Sequence, residues 1–111
     1  MKISLKQTRF VDKGDFKANF YVEKKEGRGF NALFVDCLKE HYKTKLTGAA
    51  RVYLVIEGTG SFTINGRTET VEPYDLFLIS DGDTYAYKGK MKLFEFNIPA
   101  TDSGNEEELT K

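Results

Sequence analysis

Between residues 19 and 98 the chain alternates apolar and polar positions in short runs separated by turn residues. Residues 19–24 (NFYVEK) and 30–40 (FNALFVDCLKE) are the first runs, divided by the polar segment KEGRG. In RVYLVIE, residues 51–57, Val52, Leu54 and Ile56 share one face and Tyr53 and Val55 the other. A strand apolar on both faces is expected to be covered on both, as in a sandwich or barrel wall. Gly58-Thr59-Gly60 is expected to turn the chain. The run SFTI then meets Asn65-Gly66, a strong hairpin signal because both turn positions need φ > 0. Pro73 ends the return strand RTETVE. DLFLI, TYAYK and MKLFEFNI follow as strands, with turns at SDGD and Gly89 and the segment KEHYK as an exposed loop. The tally is roughly eight to ten short strands at about 8–12-residue spacing, the pattern of an antiparallel barrel or sandwich. The sequence thus predicts one all-β domain, an antiparallel sandwich or barrel, over residues 1–100. Residues 101–111 (TDSGNEEELTK) form a polar acidic tail, expected to be mobile or one surface turn.

Composition narrows the function classes. A domain of 111 residues buries roughly 60–70% of its unfolded surface, enough for a core without staples. Seventeen basic residues balance seventeen acidic ones, which argues against general nucleic-acid or membrane-surface binding but leaves room for a local charged pocket. Nine Phe and six Tyr suit a β-rich core. The single cysteine, Cys37, cannot form an internal disulfide. The start MKISLKQTRF lacks the apolar run of a signal peptide. The run 52–56 is far short of the roughly 20 residues of a membrane helix. A soluble cytoplasmic protein is the expectation.

Residues 51–88 resemble the cupin superfamily of small β-barrels, and the resemblance implies a single antiparallel β-barrel of the jelly-roll type over residues 1–100. RVYLVIEGTGSFTINGR resembles the second half of that family's first motif, in which a strand ends in Glu-Gly-x-Gly and runs into a hairpin. VEPYDLFLISDGDTYAYKG resembles the second motif. The resemblance implies a metal site of three histidines and a glutamate at the barrel mouth. Gly58 sets the register and puts Arg51 at the glutamate position. Lys45 and Thr47 fall at two histidine positions and Tyr85 at the third. A divalent metal needs deprotonated donors, whereas Arg offers only N–H donors, so no metal or other cofactor is expected. Tyr74 stands where the family has a glycine, so a φ > 0 turn there carries a cost.

In that register Arg51 and Tyr53 point into the barrel, as do Tyr85 and Tyr87, with Lys45 as a rim charge. A guanidinium beside phenols in an apolar cup suits a small polar or anionic ligand, such as a sugar derivative. Two other readings compete. Lys45 and Tyr85 are candidates for metal-independent carbohydrate isomerase or epimerase chemistry. Alternatively Arg51 pairs with an inward carboxylate, Asp36 or Glu95, and the barrel is a filled interaction module. Cys37 and His41 have the spacing of a ligand or nucleophile pair, but lie about 13 Å apart on an extended strand, so an inert core thiol and an exposed histidine are expected. The resemblance also implies a homodimer, with 19–25 or 30–36 supplying the edge.

Overall fold

The period-two alternation organises the computed structural model, which describes residues 1–109. Among these residues the chain forms nine strands and three single-turn 3₁₀ helices. The strands are β1 (Arg9–Asp12), β2 (Phe16–Val22), β3 (Asn31–Cys37), β4 (Glu40–Leu46), β5 (Ala50–Ile64), β6 (Arg67–Val71), β7 (Leu76–Ile79), β8 (Thr84–Ile98) and β9 (Glu106–Glu108). All pair antiparallel. β8 is central. One edge pairs with β5 along its whole length, from Ala50↔Ile98 to Ile64↔Tyr85. Its other edge pairs with β4 through its first half and β3 through its second. Two sheets therefore share these long strands: β1-β2-β3-β8-β5-β7 and β9-β4-β8-β5-β6. No helix is long and apolar enough to cross a membrane among the described residues.

Gly58-Thr59-Gly60 and Gly89 do not turn the chain. Both 15-residue strands pass through them unbroken, and TYAYK and MKLFEFNI are one strand, β8. The glycines make the corner at which the chain passes from one sheet to the other. A Cβ on Gly58 would lie 2.1 Å from the Lys90 carbonyl oxygen, and one on Gly89 2.4 Å from that of Thr59. Close backbone approach and a tight turn both call for glycine, so the sequence signal is the same for each. Asn65 and Gly66 do form the expected hairpin, with φ of 50° and 82°. Tyr74 takes the left-handed conformation, φ 74°, that a glycine would adopt more cheaply.

The inner face carries the core: Leu33, Val35 and Cys37 from β3, Tyr53, Val55 and Phe62 from β5, Tyr85, Tyr87, Met91 and Leu93 from β8. The outer face of β5 departs from expectation. Val52 and Leu54 are only half-buried and Ile56 is 39% exposed, so nothing among the described residues covers that side. β2 and β3 are paired along both edges, so neither offers a free edge to a second chain; the free edge beside them belongs to β1. The polar C-terminal segment is not loose. Asp102 caps a 3₁₀ turn at Ser103–Asn105, and β9 then pairs with β4 through Leu46↔Glu106, Lys45↔Glu107 and Thr44↔Glu108.

Candidate functional site

A cavity of about 700 Å³ opens inside the barrel. It is bounded by the inner faces of β1, β2 and β3, by β4, β5 and β8, and by the segment 101–106. The interior is therefore not filled by the chain's own side chains, and its volume lies in the range of small-molecule sites.

Arg51 forms one wall and is 2% exposed. Its Nε donates to Asn97 Oδ1 at 2.5 Å and lies 3.1 Å from Glu95 Oε2. Nη1 donates to the Tyr85 hydroxyl at 2.7 Å, and Nη2 to Glu106 Oε2 at 2.7 Å and the Thr101 hydroxyl at 3.3 Å. Asn97 Nδ2 passes the network on to Glu95 and to Asn31, whose Oδ1 also accepts from Thr101. A desolvated guanidinium requires compensation, and here two carboxylates share one cation. Burial alone would lower the Arg51 pKa; the charge of Glu95 and then the neighbouring tyrosines and Glu106 outweigh it, and the group is held above its ordinary value. Tyr53 donates to the Tyr85 oxygen at 3.2 Å. Burial raises the pKa of Tyr53, Tyr85 and Tyr87, so all three are neutral phenols at neutral pH.

His41, expected to be exposed, is 8% exposed and faces the cavity. Its ring lies 4.6 Å from Phe16, 4.4 Å from Tyr42 and 5.0 Å from Tyr87, centroid to centroid. Nδ1 lies 2.8 Å from the Tyr42 carbonyl oxygen. A carbonyl only accepts, so Nδ1 carries the proton and Nε2 is the free lone pair. No fully buried polar side-chain atom among the described residues lacks a partner. Nε2, which makes no hydrogen bond among the described residues, thus keeps some accessible surface, and the residue lines the cavity. Burial lowers the His41 pKa to about 4, partly offset by the Tyr42 carbonyl and then the charge of Glu106. The imidazole is neutral at neutral pH.

Four of the residues read from the sequence converge: Arg51, Tyr53, Tyr85 and Tyr87. Lys45 does not join them. Thr44 and Leu46 point inward at 0% exposure, and Lys45 takes the opposite face, opposite Thr84 and Glu107. The arrangement of Lys45 as base with Tyr85 as acid is therefore not assembled. Of the two carboxylates considered for Arg51, Glu95 is the partner; Asp36 lies between inward Val35 and Cys37 and faces out. Cys37 is 1% exposed, burial pushes its thiol up to about 11, and it shares no hydrogen bond with His41. Glu106, Asn31 and Asn97 carried no expectation from the sequence, and His41 was weighed with Cys37 but read as exposed. Asn31 and Asn97 sit in phase with Leu33 and Glu95, so the alternation held their signal. A bulge between His41 and Thr44 breaks the alternation of β4, and Glu106 lies beyond the predicted barrel.

No family profile matches the sequence, and no curated protein matches it. The fold has many relatives among solved structures. Pac13, a nucleoside dehydratase, is 18% identical with a TM-score of 0.88 over 99% of this chain and 91% of that one. KdgF from Halomonas sp. is 10% identical, TM-score 0.80, over 94% and 97%. Ectoine synthase from P. lautus is 14% identical, TM-score 0.78, over 98% and 89%. The chain has the cupin fold. Three further matches, at TM-scores of 0.87 to 0.88, are Streptomyces PAC13 with uridine, each with one histidine or one of two tyrosines replaced.

The metal site usual in cupins does not fit this barrel's residues. Where the ligands would converge stands a guanidinium already bound to two carboxylates, with a neutral phenol beside it. Among the described residues no three His, Cys, Asp or Glu side chains cluster as a metal site. The reactive groups on hand are imidazole, carboxylate and phenol.

Proposed function

We propose that this cupin binds a small, neutral, hydroxylated molecule in its cavity, a nucleoside or related sugar derivative, and that His41 accepts a proton from it. The observation that carries the proposal is the pinned imidazole at the cavity: Nδ1–H held by Tyr42, Nε2 left without a partner among the described residues, and the ring walled by Phe16, Tyr42 and Tyr87. The aromatic wall offers stacking surface to a base or sugar face. The polar wall offers Glu95, Glu106 and Asn97 to hydroxyls. Arg51 against Glu95 and Glu106 gives that wall an excess of carboxylate, and four of the guanidinium's five N–H donors are engaged. This favours hydroxyl donors over the anion expected from Arg51 alone. The uridine complexes of structurally similar PAC13, in which a histidine and tyrosines were the residues changed, support the nucleoside class.

A neutral imidazole is in its base form at pH 7 without prior deprotonation. Burial disfavours the imidazolium that accepting a proton creates, and the Tyr42 carbonyl and the charge of Glu106 offset part of that. Removal of a proton from a carbon next to a carbonyl is the shared first step of water elimination and epimerisation, so this geometry serves either reaction.

The test is calorimetric titration of uridine, uridine 5′-monophosphate, neutral monosaccharides and uronates. The neutral hydroxylated ligands should bind more tightly than their anionic counterparts. His41→Gln should retain binding and abolish turnover of a carbonyl-bearing analogue. No binding by any neutral member, or tighter binding of the anions, would overturn the proposal.

A further inference from the structure

Two buried polar groups of the cavity wall each keep one atom that no described residue uses. Alternation along β3 and β8 turns Asn31 and Glu95 inward, where they are 3% and 7% exposed and line the cavity. Asn31 pairs in register with Asn97, and Leu33 with Glu95, so Asn31 and Glu95 sit diagonally on adjacent strands, both beside Asn97.

Asn97 spends both of its N–H groups on them. Its Nδ2 donates to Asn31 Oδ1 and to Glu95 Oε2, each at 3.0 Å. Asn31 Oδ1 also accepts from the Thr101 backbone N–H and hydroxyl, each at 2.7 Å. A backbone N–H only donates, which fixes the amide with Oδ1 toward Thr101 and Nδ2 away from it. Glu95 Oε2 further lies 3.1 Å from Arg51 Nε. The atoms left over are Glu95 Oε1 and Asn31 Nδ2, and neither makes a hydrogen bond among the described residues. Every fully buried polar side-chain atom among those residues has a partner, so both of these atoms keep accessible surface. An acceptor beside a donor, on a wall otherwise satisfied, calls for a ligand that brings the complement of each.

We infer that Glu95 and Asn31 clamp a cis-vicinal diol and select ligands of ribo configuration. The inference rests on the reading of a neutral, hydroxylated ligand and names which of its hydroxyls are recognised. A hydroxyl both donates and accepts. Two cis hydroxyls on adjacent carbons of a five-membered ring leave the same face, so one donates to Glu95 Oε1 while its neighbour accepts from Asn31 Nδ2. Trans hydroxyls leave opposite faces and meet only one of the two groups. Asn97, Thr101 and Arg51 hold both side chains in place before the ligand arrives, so little freedom is lost on binding. Glu106, one-third exposed, keeps its water and discriminates less. A site built to hydrogen-bond a hydroxyl rejects the analogue that lacks it, because its buried polar groups are then left unpaired.

The experiment is calorimetric titration of the wild-type chain with uridine, 2′-deoxyuridine, 3′-deoxyuridine and arabinosyluracil, whose 2′-hydroxyl is trans to the 3′. The methyl ribofuranosides, with and without the 2-hydroxyl, repeat the comparison without a base. Each analogue lacking the cis pair should bind at least tenfold more weakly than its ribo parent. Glu95→Gln, checked for fold by circular dichroism, should weaken uridine at least tenfold, change 2′-deoxyuridine less than threefold, and so erase the discrimination; the wild-type series decides by itself if that variant does not fold. Uridine and 2′-deoxyuridine binding within threefold of each other would overturn the inference and leave the proposed function standing. So would a folded Glu95→Gln variant that discriminates as the wild type does, since the diol would then be read elsewhere. No binding by uridine, the ribosides or any neutral monosaccharide would overturn the proposed function and the diol clamp together.

Discussion

Replacing Arg51 by methionine tests how the cavity wall is held together. The side chain is 2% exposed and sits 3.1 Å from Glu95, itself 7% exposed. Methionine nearly preserves the volume, so the cost is electrostatic rather than a cavity. Glu95 is left buried without a cation, and Asn97, Tyr85 and Thr101 each lose a donor. Glu106, one-third exposed, turns to water and adds little. Removing one partner of a buried pair costs about 3–5 kcal/mol. Against a total stability of about 5–15 kcal/mol, and at roughly 4 °C per kcal/mol for a domain of this size, the melting temperature should fall by about 12–20 °C. Arg51→Met/Glu95→Gln should recover more than half of that, because no unpaired charge remains buried. Thermal unfolding at pH 7, followed by circular dichroism, measures both. A fall of less than about 4 °C in the single variant, or no recovery in the double, would refute a desolvated, carboxylate-bound guanidinium.

His41 makes stability depend on pH. Its folded pKa of about 4 lies below the ordinary 6.5, so the unfolded chain takes up a proton first as pH falls. The contribution is fully present above pH 6.5 and is lost between pH 6.5 and 4, about 3 kcal/mol in all; His41→Gln should flatten that part of the denaturation-against-pH curve. Cys37, buried with its thiol pushed up to about 11, should react with an aromatic disulfide at pH 8 at least a hundredfold slower than the unfolded chain. Gly89→Ala should prevent folding or lower the melting temperature by more than 10 °C, since its Cβ would meet the Thr59 backbone. Tyr74→Gly, at an 80% exposed position with φ 74°, should raise stability by about 1 kcal/mol in the same assay.

The barrel was legible because its devices are local. Alternation marks strands, and Asn65-Gly66 names its own turn. The cavity wall was half legible: Arg51 and Tyr53 on β5, and Tyr85 and Tyr87 on β8, follow from period two once the register is known. What escaped has a common cause. Counting by twos puts His41 and Lys45 on one face, but the bulge in β4 shifts the inward face between His41 and Thr44, so His41 turns inward and Lys45 does not. Glu106 reaches Arg51 because β9 adds to the edge of β4, and three consecutive glutamates carry no apolar signal for such a strand. Gly58, Gly60 and Gly89 were misread because a corner between sheets and a hairpin turn use the same residue for the same freedom.

The central claim is that the imidazole of His41 is buried, neutral and open to a ligand. The chain's single histidine makes a direct measurement simple, because ¹⁵N-histidine labelling gives one imidazole in the NMR spectrum. Titrated with acid, it should hold the Nδ1–H form down to about pH 4, and at pH 7 its Nε2 resonance should shift on adding uridine. An imidazole that titrates near 6.5 with mixed tautomers, or whose Nε2 is unmoved by uridine and every neutral sugar tried, would contradict the account.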